Sequence, residues 1–231
     1  MKENGRKEDI VRAFIELSEE KGAKHVTVTA IVNRLGVSRK TFYYHFQSID
    51  ELHIWMFRRE LGAVLEYNYP KSQLVYEEDP ESSTAELPYY ARVFLSERLM
   101  SQALFFECLG RVLGARAAIY SDLLESNRKG GFLDYLHRLY ERAMHEDAAI
   151  VLEGHAVSEY ALNFISKWLT GAFLGRMVTM LRYSEPYGSM DDINPFCNIQ
   201  HEILYMYHLC EFDPSSSRVV FGESSWGRYR A

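Results

Sequence analysis

The side chains best equipped for chemistry lie between Thr27 and Phe46, in the run TVTAIVNRLGVSRKTFYYHF. Arg39 and Lys40 have the reach for phosphates or guanine edges, and Thr41 can meet a thymine methyl. The hydroxyls of Tyr43 and Tyr44, the His45 ring and the amides that follow a capping Ser38 suit phosphate oxygens. Phe42 and Phe46, one helical turn apart, share the opposite face and would pack on Val28, Ile31, Val32, Leu35 and Val37. Three short helices with Gly36 in the turn between the last two make a helix-turn-helix, a unit whose final helix enters the major groove of duplex DNA.

Other chemistries find less support. Cys197, His201 and His208 share one stretch with Glu202 beside them, but a zinc ion needs three or four converging ligands and one helical face offers two at most. No metal or cofactor is therefore expected. Nucleophile-elbow, phosphate-loop, dinucleotide-binding and metalloprotease motifs are all missing from the sequence, so an enzyme is not expected either.

The net charge of −6 argues, taken whole, against nucleic acid as a partner, yet its distribution argues the reverse. Residues 1–60 carry 11 basic and 9 acidic side chains, and the whole excess of acid falls beyond them. From Lys21 to Ile49 there are five basic residues (Lys21, Lys24, Arg34, Arg39 and Lys40) and no acidic one. A local basic patch on an acidic molecule attracts phosphate selectively. The N-terminus lacks a signal-length apolar run, and Asn163, Lys167 and Arg176 interrupt the most apolar long stretch. Three widely spaced cysteines suit reduced thiols. A cytoplasmic protein without membrane contact is expected.

An all-α fold of about nine helices is expected to position these groups. The first runs from about Lys7 to Lys21. Thr27 caps a second that ends near Leu35, Ser38 caps a third through Phe46, and Ser48 opens a fourth with Glu51 in capping-box position. Residues 68–88, with Pro70, Pro80, Pro88 and the acidic run 77–79, read as a mobile loop. Helices are expected at about 89–107, 109–126, 130–146, 155–183 and 191–211. The domains are then 1–50 for DNA binding, 51–212 for regulation and dimerisation, and 213–231 as a loosely ordered tail.

The run G-V-S-R-K-T-F-Y-Y-H-F followed by Asp50-Glu51-Leu52 resembles the signature of TetR-family transcriptional regulators, over residues 7–55. The resemblance implies that Arg39, Lys40, Thr41 and Tyr43 read the groove, while Thr27, Tyr44 and His45 chiefly hold phosphates. Where the family usually has Lys at the start of the fourth helix this chain has Ile49, which puts one phosphate contact in question. Val32 and Leu35 stand where smaller residues are common. A narrower resemblance, carried by Leu52 to Phe57 and the Trp168 segment, is to regulators of dihydroxyacetone kinase, a group with activators as well as repressors.

The family resemblance implies a homodimer and a small-molecule effector, most simply one that releases a repressor from a palindromic operator. Ala161, Phe164, Trp168, Ala172 and Gly175, with Phe196 and Ile203 on the terminal helix, form apolar stripes suited to a four-helix bundle across a two-fold axis. Two half-sites a helical turn apart need two reading heads. For the effector, Tyr90, Phe94, Arg98, Phe105 and Trp168 are candidate pocket residues, and Arg176 and Glu107 are further charges within apolar helices.

Overall fold

The structure, a computed structural model, describes residues 2–97, 100–125 and 129–183, together with 203–204, 207, 210–212 and 219–221. Four helices open the chain: α1 (Lys2–Lys21), α2 (Val28–Leu35), α3 (Arg39–His45) and α4 (Ile49–Asn68). Each cap expected from sequence is made. The Thr27, Ser38 and Ser48 hydroxyls accept from the amides of Ala30, Thr41 and Glu51 at 3.2, 3.2 and 3.1 Å. The Glu51 carboxylate reaches back one residue further than an ordinary capping box, to the Gln47 amide at 2.5 Å. Gly36 turns α2 into α3 at φ 64, a left-handed conformation that costs a side-chain-bearing residue and not glycine.

α1, α2 and α3 close on Phe14, Ile31, Phe42 and Phe46, all buried, and Trp55 of α4 meets Phe46 edge-on at 5.9 Å. α4 then runs on into the body. α5 (Ala103–Ala115) and α7 (Phe132–Val151) pack against it, and α6 (Ala117–Glu125) and α8 (Glu159–Arg182) pack against each other and against α7. Their shared core is aromatic: Tyr90, Phe105, Tyr140 and Phe173 have no exposed surface and pack by ring edges, with Phe105 4.5 Å from Tyr90 and Tyr140 5.3 Å from Phe173.

Five expectations are corrected. The helix expected over 89–107 begins only at Ala103. Before it run β2 (Tyr90–Ala91), paired antiparallel with β1 (Leu74–Val75), and β3 (Val93–Phe94), paired with β4 (Met100–Ser101). Tertiary bonding decides this. The buried Tyr90 hydroxyl and Arg92 Nε bond opposite oxygens of the buried Asp147 carboxylate, at 2.6 and 2.5 Å. The single helix expected over 109–126 breaks at Arg116, whose Nε binds Glu60 of α4 at 2.6 Å, next to the Tyr120 hydroxyl on the same carboxylate. The loop 68–88 is anchored, by contacts described below. Residues 203, 204 and 207 are helical, but the expected terminal helix does not extend to 211. β5 (Cys210–Phe212) pairs antiparallel with β6 (Val219–Phe221), so part of the expected tail is a hairpin strand.

Candidate nucleic-acid interface

α3 has two unlike sides. Phe42 is fully buried and Phe46, its C-cap, nearly so, which fixes the rotation of the helix. That rotation leaves Arg39, Lys40, Tyr43 and Tyr44 exposed, with Thr41 and His45 half-buried beside them; Tyr44 is 74% exposed and stacks edge-on with His45 at 4.9 Å. Thr27 and Ser38, both exposed, stand at the N-caps of α2 and α3. The Ser38 and Thr41 hydroxyls also bond each other at 3.0 Å. All eight sequence-derived residues therefore lie on the recognition helix or at the caps that start α2 and α3.

The basic patch divides in two. Arg34 is held by Glu20 at 2.7 Å and Glu16 at 3.4 Å, and Lys24 by Asp122 at 3.5 Å and Glu125 at 3.9 Å. Arg39 and Lys40 have no ion pair among the described residues. Their charge is available to an outside anion, while Lys24 and Arg34 tie the head together and to α6. Ile49 does not extend this surface. It is half-buried against the core and lines a cleft with Val26, His53, Leu123 and Phe132, on the side where the head meets the body.

The interior charges are not those that apolar spacing suggested. Glu107 pairs with Arg111 at 2.9 Å on an exposed face, Arg176 is half-buried, and Arg98 lies outside the described residues. The buried arginine is Arg58 of α4. Its guanidinium meets Glu77 at 2.6 Å, the Tyr135 hydroxyl at 2.6 Å, the Thr84 carbonyl at 3.2 Å and the Leu87 carbonyl, which pins the 76–88 segment to the body. Burial alone would raise the Glu77 carboxyl, but the Arg58 charge and hydrogen bonds from Thr84, Arg58 and Ser82 hold it below the usual glutamate range. Burial pushes the Tyr135 and Tyr89 hydroxyls up to about 12, so both stay protonated at neutral pH. A sequence signal did exist: Arg58 continues the helical spacing of Ile54, Leu61 and Leu65, a stripe otherwise apolar.

The candidate effector residues are not brought together. Tyr90 and Phe105 fill the core against each other, Phe94 is 50% exposed on β3, and Trp168 is 46% exposed on the outer side of α8. The physical reason is that aromatic rings complete their burial by mutual edge contacts and leave no lining between them. Of the candidate dimer residues, Ala161 and Ile203 are buried in the chain's own core, Phe164 is half-buried, and Trp168, Ala172 and Gly175 are exposed on α8. Phe196 lies outside the described residues, as do Cys197, His201, Glu202 and His208 of the metal alternative. No helix among the described residues is long and apolar enough to cross a membrane.

Residues 10–54 match the model of the bacterial regulatory proteins of the tetR family. No curated protein sequence matches the chain significantly. Among solved structures, the dihydroxyacetone kinase operon activator DhaS is similar over 88% of this chain and 96% of its own, with a TM-score of 0.47 and 13% identity. Residues 10–54 are thus a helix-turn-helix of the tetR family, the DNA-binding segment of bacterial regulators of transcription.

Proposed function

We propose that two copies of this chain bind a palindromic operator, each inserting α3 into one major groove, and that a small molecule bound in the body weakens that grip, as in a repressor. The observation that carries the reading is the recognition face: Arg39 and Lys40, exposed and without an ion pair among the described residues, stand with Thr41, Tyr43 and Tyr44 over a buried Phe42. Arg39, Lys40, Thr41 and Tyr43 are assigned to reading the groove, and Thr27, Ser38, Tyr44 and His45 to positioning, since contacts to phosphate set register without reading sequence.

Pairing of the copies is supported by the outer side of α8. A Cβ built on Gly171 or Gly175 meets nothing within 4 Å among the described residues, and the exposed Trp168 flanks them. Small residues there let a second α8 approach closely. The protein is further read as cytoplasmic and without enzymatic activity. The test is a nuclease footprint on DNA flanking its own gene. Protection with two-fold symmetry is expected, reduced by the right metabolite; protection without symmetry would sink the dimeric reading.

Regulation without an effector is the second reading. It is favoured by the aromatic centre, where Tyr90, Phe105, Tyr140 and Phe173 pack on one another. A footprint unmoved by every metabolite tried would favour it.

A further inference from the structure

Arg58 has no exposed surface, and the group that neutralises it is a carboxylate brought in from outside the helical frame. Glu77 Oε2 accepts from Arg58 Nη1 at 2.6 Å, from the Thr84 hydroxyl at 2.7 Å and from the Ser82 hydroxyl at 3.0 Å. Its other oxygen takes the Tyr135 hydroxyl at 3.5 Å, and the Tyr89 ring lies 5.3 Å from the guanidinium. A guanidinium, three hydroxyls and an aromatic face make a full receptor for a carboxylate. Among the described residues Arg58 Nε, though buried, finds no acceptor, so the receptor keeps a donor that Glu77 does not use.

Glu77 reaches the receptor from the start of an exposed stretch. Thr84, Pro88 and Tyr89 are buried anchors, whereas residues 78–81, which follow Glu77 directly, are all exposed. Immediately outside is a cleft of about 170 Å3 whose lining joins Tyr89, Tyr135 and Leu139 to the acids Glu77, Glu78 and Asp79 and to Arg138 and Arg142. If Glu77 swung out with nothing in its place, Arg58 would be left as an uncompensated buried charge, which is strongly destabilising. The exchange is therefore open only to another anion. The Tyr89, Tyr135 and Leu139 walls suit an anion with a small apolar or aromatic body, while Arg138 is held by Asp134 and Arg142 by Glu78, which leaves Arg58 as the cation the anion would meet.

We propose that this is a ligand site for a small organic carboxylate, which binds Arg58 by displacing Glu77. The site gives the effector of the proposed function a chemical class, and to that extent it rests on that reading. Arg58 stands on α4, whose first turn follows directly on the recognition helix, so exchanging its partner changes how the helix under the DNA-reading head is held.

The test is calorimetric titration of the full chain, free of DNA, with benzoate, using neutral benzamide as the control. Wild type is expected to bind benzoate weakly and saturably. Glu77→Ala, which removes the internal competitor, is expected to bind it about tenfold or more tightly, because an occupied site divides the intrinsic affinity by its free fraction. Its lowered thermal midpoint should be recovered by benzoate and not by benzamide. Glu77→Gln keeps acceptors for the neighbouring hydroxyls and stands in if the alanine variant does not fold; it too should bind benzoate more tightly than wild type. Limited digestion of wild type with a glutamate-specific protease reports the displacement directly, and cleavage after Glu77, Glu78 and Glu81 should rise as benzoate saturates. Equal benzoate affinity in wild type and variants, or an equal response to benzamide, overturns the proposal and leaves the DNA-binding reading standing. Failure of wild type to bind any DNA while it still binds benzoate overturns that reading alone.

Discussion

Lys40 and Tyr44 stand four residues apart on α3, both exposed, yet they should answer differently to substitution. A side chain that reaches a base edge discriminates among sequences, whereas one on a phosphate holds every sequence alike. Lys40→Ala is expected to cost about 1–3 kcal/mol on the preferred operator and to relax choice at one base position. Tyr44→Phe should weaken all sequences equally; binding to a library of operator variants separates the two. Ile49 belongs to the same scale. A lysine there would lose apolar contact at the junction of head and body, beside Val26 and Phe132, rather than face a duplex. Ile49→Lys is therefore expected to lower stability by about 1–2 kcal/mol and to leave the salt dependence of DNA binding unchanged. If log K against log salt instead steepened by about 0.9, a new phosphate contact would have formed, and Ile49 would be a DNA-facing position after all. The charges show what sequence spacing conceals. Lys24 and Arg34 look like Arg39 and Lys40 in a count, but acidic partners from α1 and α6 hold the first two.

Two contacts join elements that sequence separates widely, and each has a measurable consequence. Asp122 of α6 accepts the Lys24 amide at 3.4 Å, and a Cβ on Gly22, at φ 85, would come within 3.0 Å of its carboxylate. Gly22→Ala carries both backbone strain and a clash with this clamp, so a loss of about 1–3 kcal/mol is expected in thermal unfolding. A loss below a few tenths would mean that the clamp is slack. The Arg58–Glu77 pair has a pH signature. The Glu77 carboxyl is lower in the folded chain than unfolded, so its contribution is full above the ordinary glutamate pKa and is lost as pH falls through the folded value. Wild type should exceed Glu77→Gln by about 3 kcal/mol near neutrality, the low end for a broken buried pair. The gap should close only below the ordinary glutamate range. A gap that stayed constant to low pH would assign the difference to packing. The 76–88 segment read as a loop from its prolines and acidic run, and it is one; the contact that anchors it lies on a helix nearly 20 residues earlier, beyond any local pattern.

For the whole molecule, the proposed pairing of two chains through the outer side of α8 can be tested directly. Trp168, Ala172 and Gly175 are exposed in the single chain, so changing them costs the chain's own core little. Trp168→Lys combined with Gly175→Leu should give a folded protein that sediments as a monomer, and affinity for a symmetric operator should fall by about two orders of magnitude once the linked second head is lost. A double variant that remains a dimer would place the two-fold axis elsewhere.

Whatever depends on neighbours a few residues away was legible in the chain itself. The caps at Thr27, Ser38 and Ser48, the turn at Gly36, the inward Phe42 and Phe46 and the outward Arg39 and Lys40 follow from hydrogen bonds and helical spacing of short range. Those features locate the recognition helix and the family. The rest required the fold. Tyr90 and Arg92 leave the helical state because Asp147, 55 and more residues onward, offers a buried carboxylate, and α5 and α6 part because Arg116 turns to Glu60. Arg58 is the interior charge because Glu77 and Tyr135 meet it there, and the aromatic residues of the body became core by closing on each other. A partner far along the chain leaves no mark on local spacing, so only the tertiary structure decides which polar group is buried and which surface stays free.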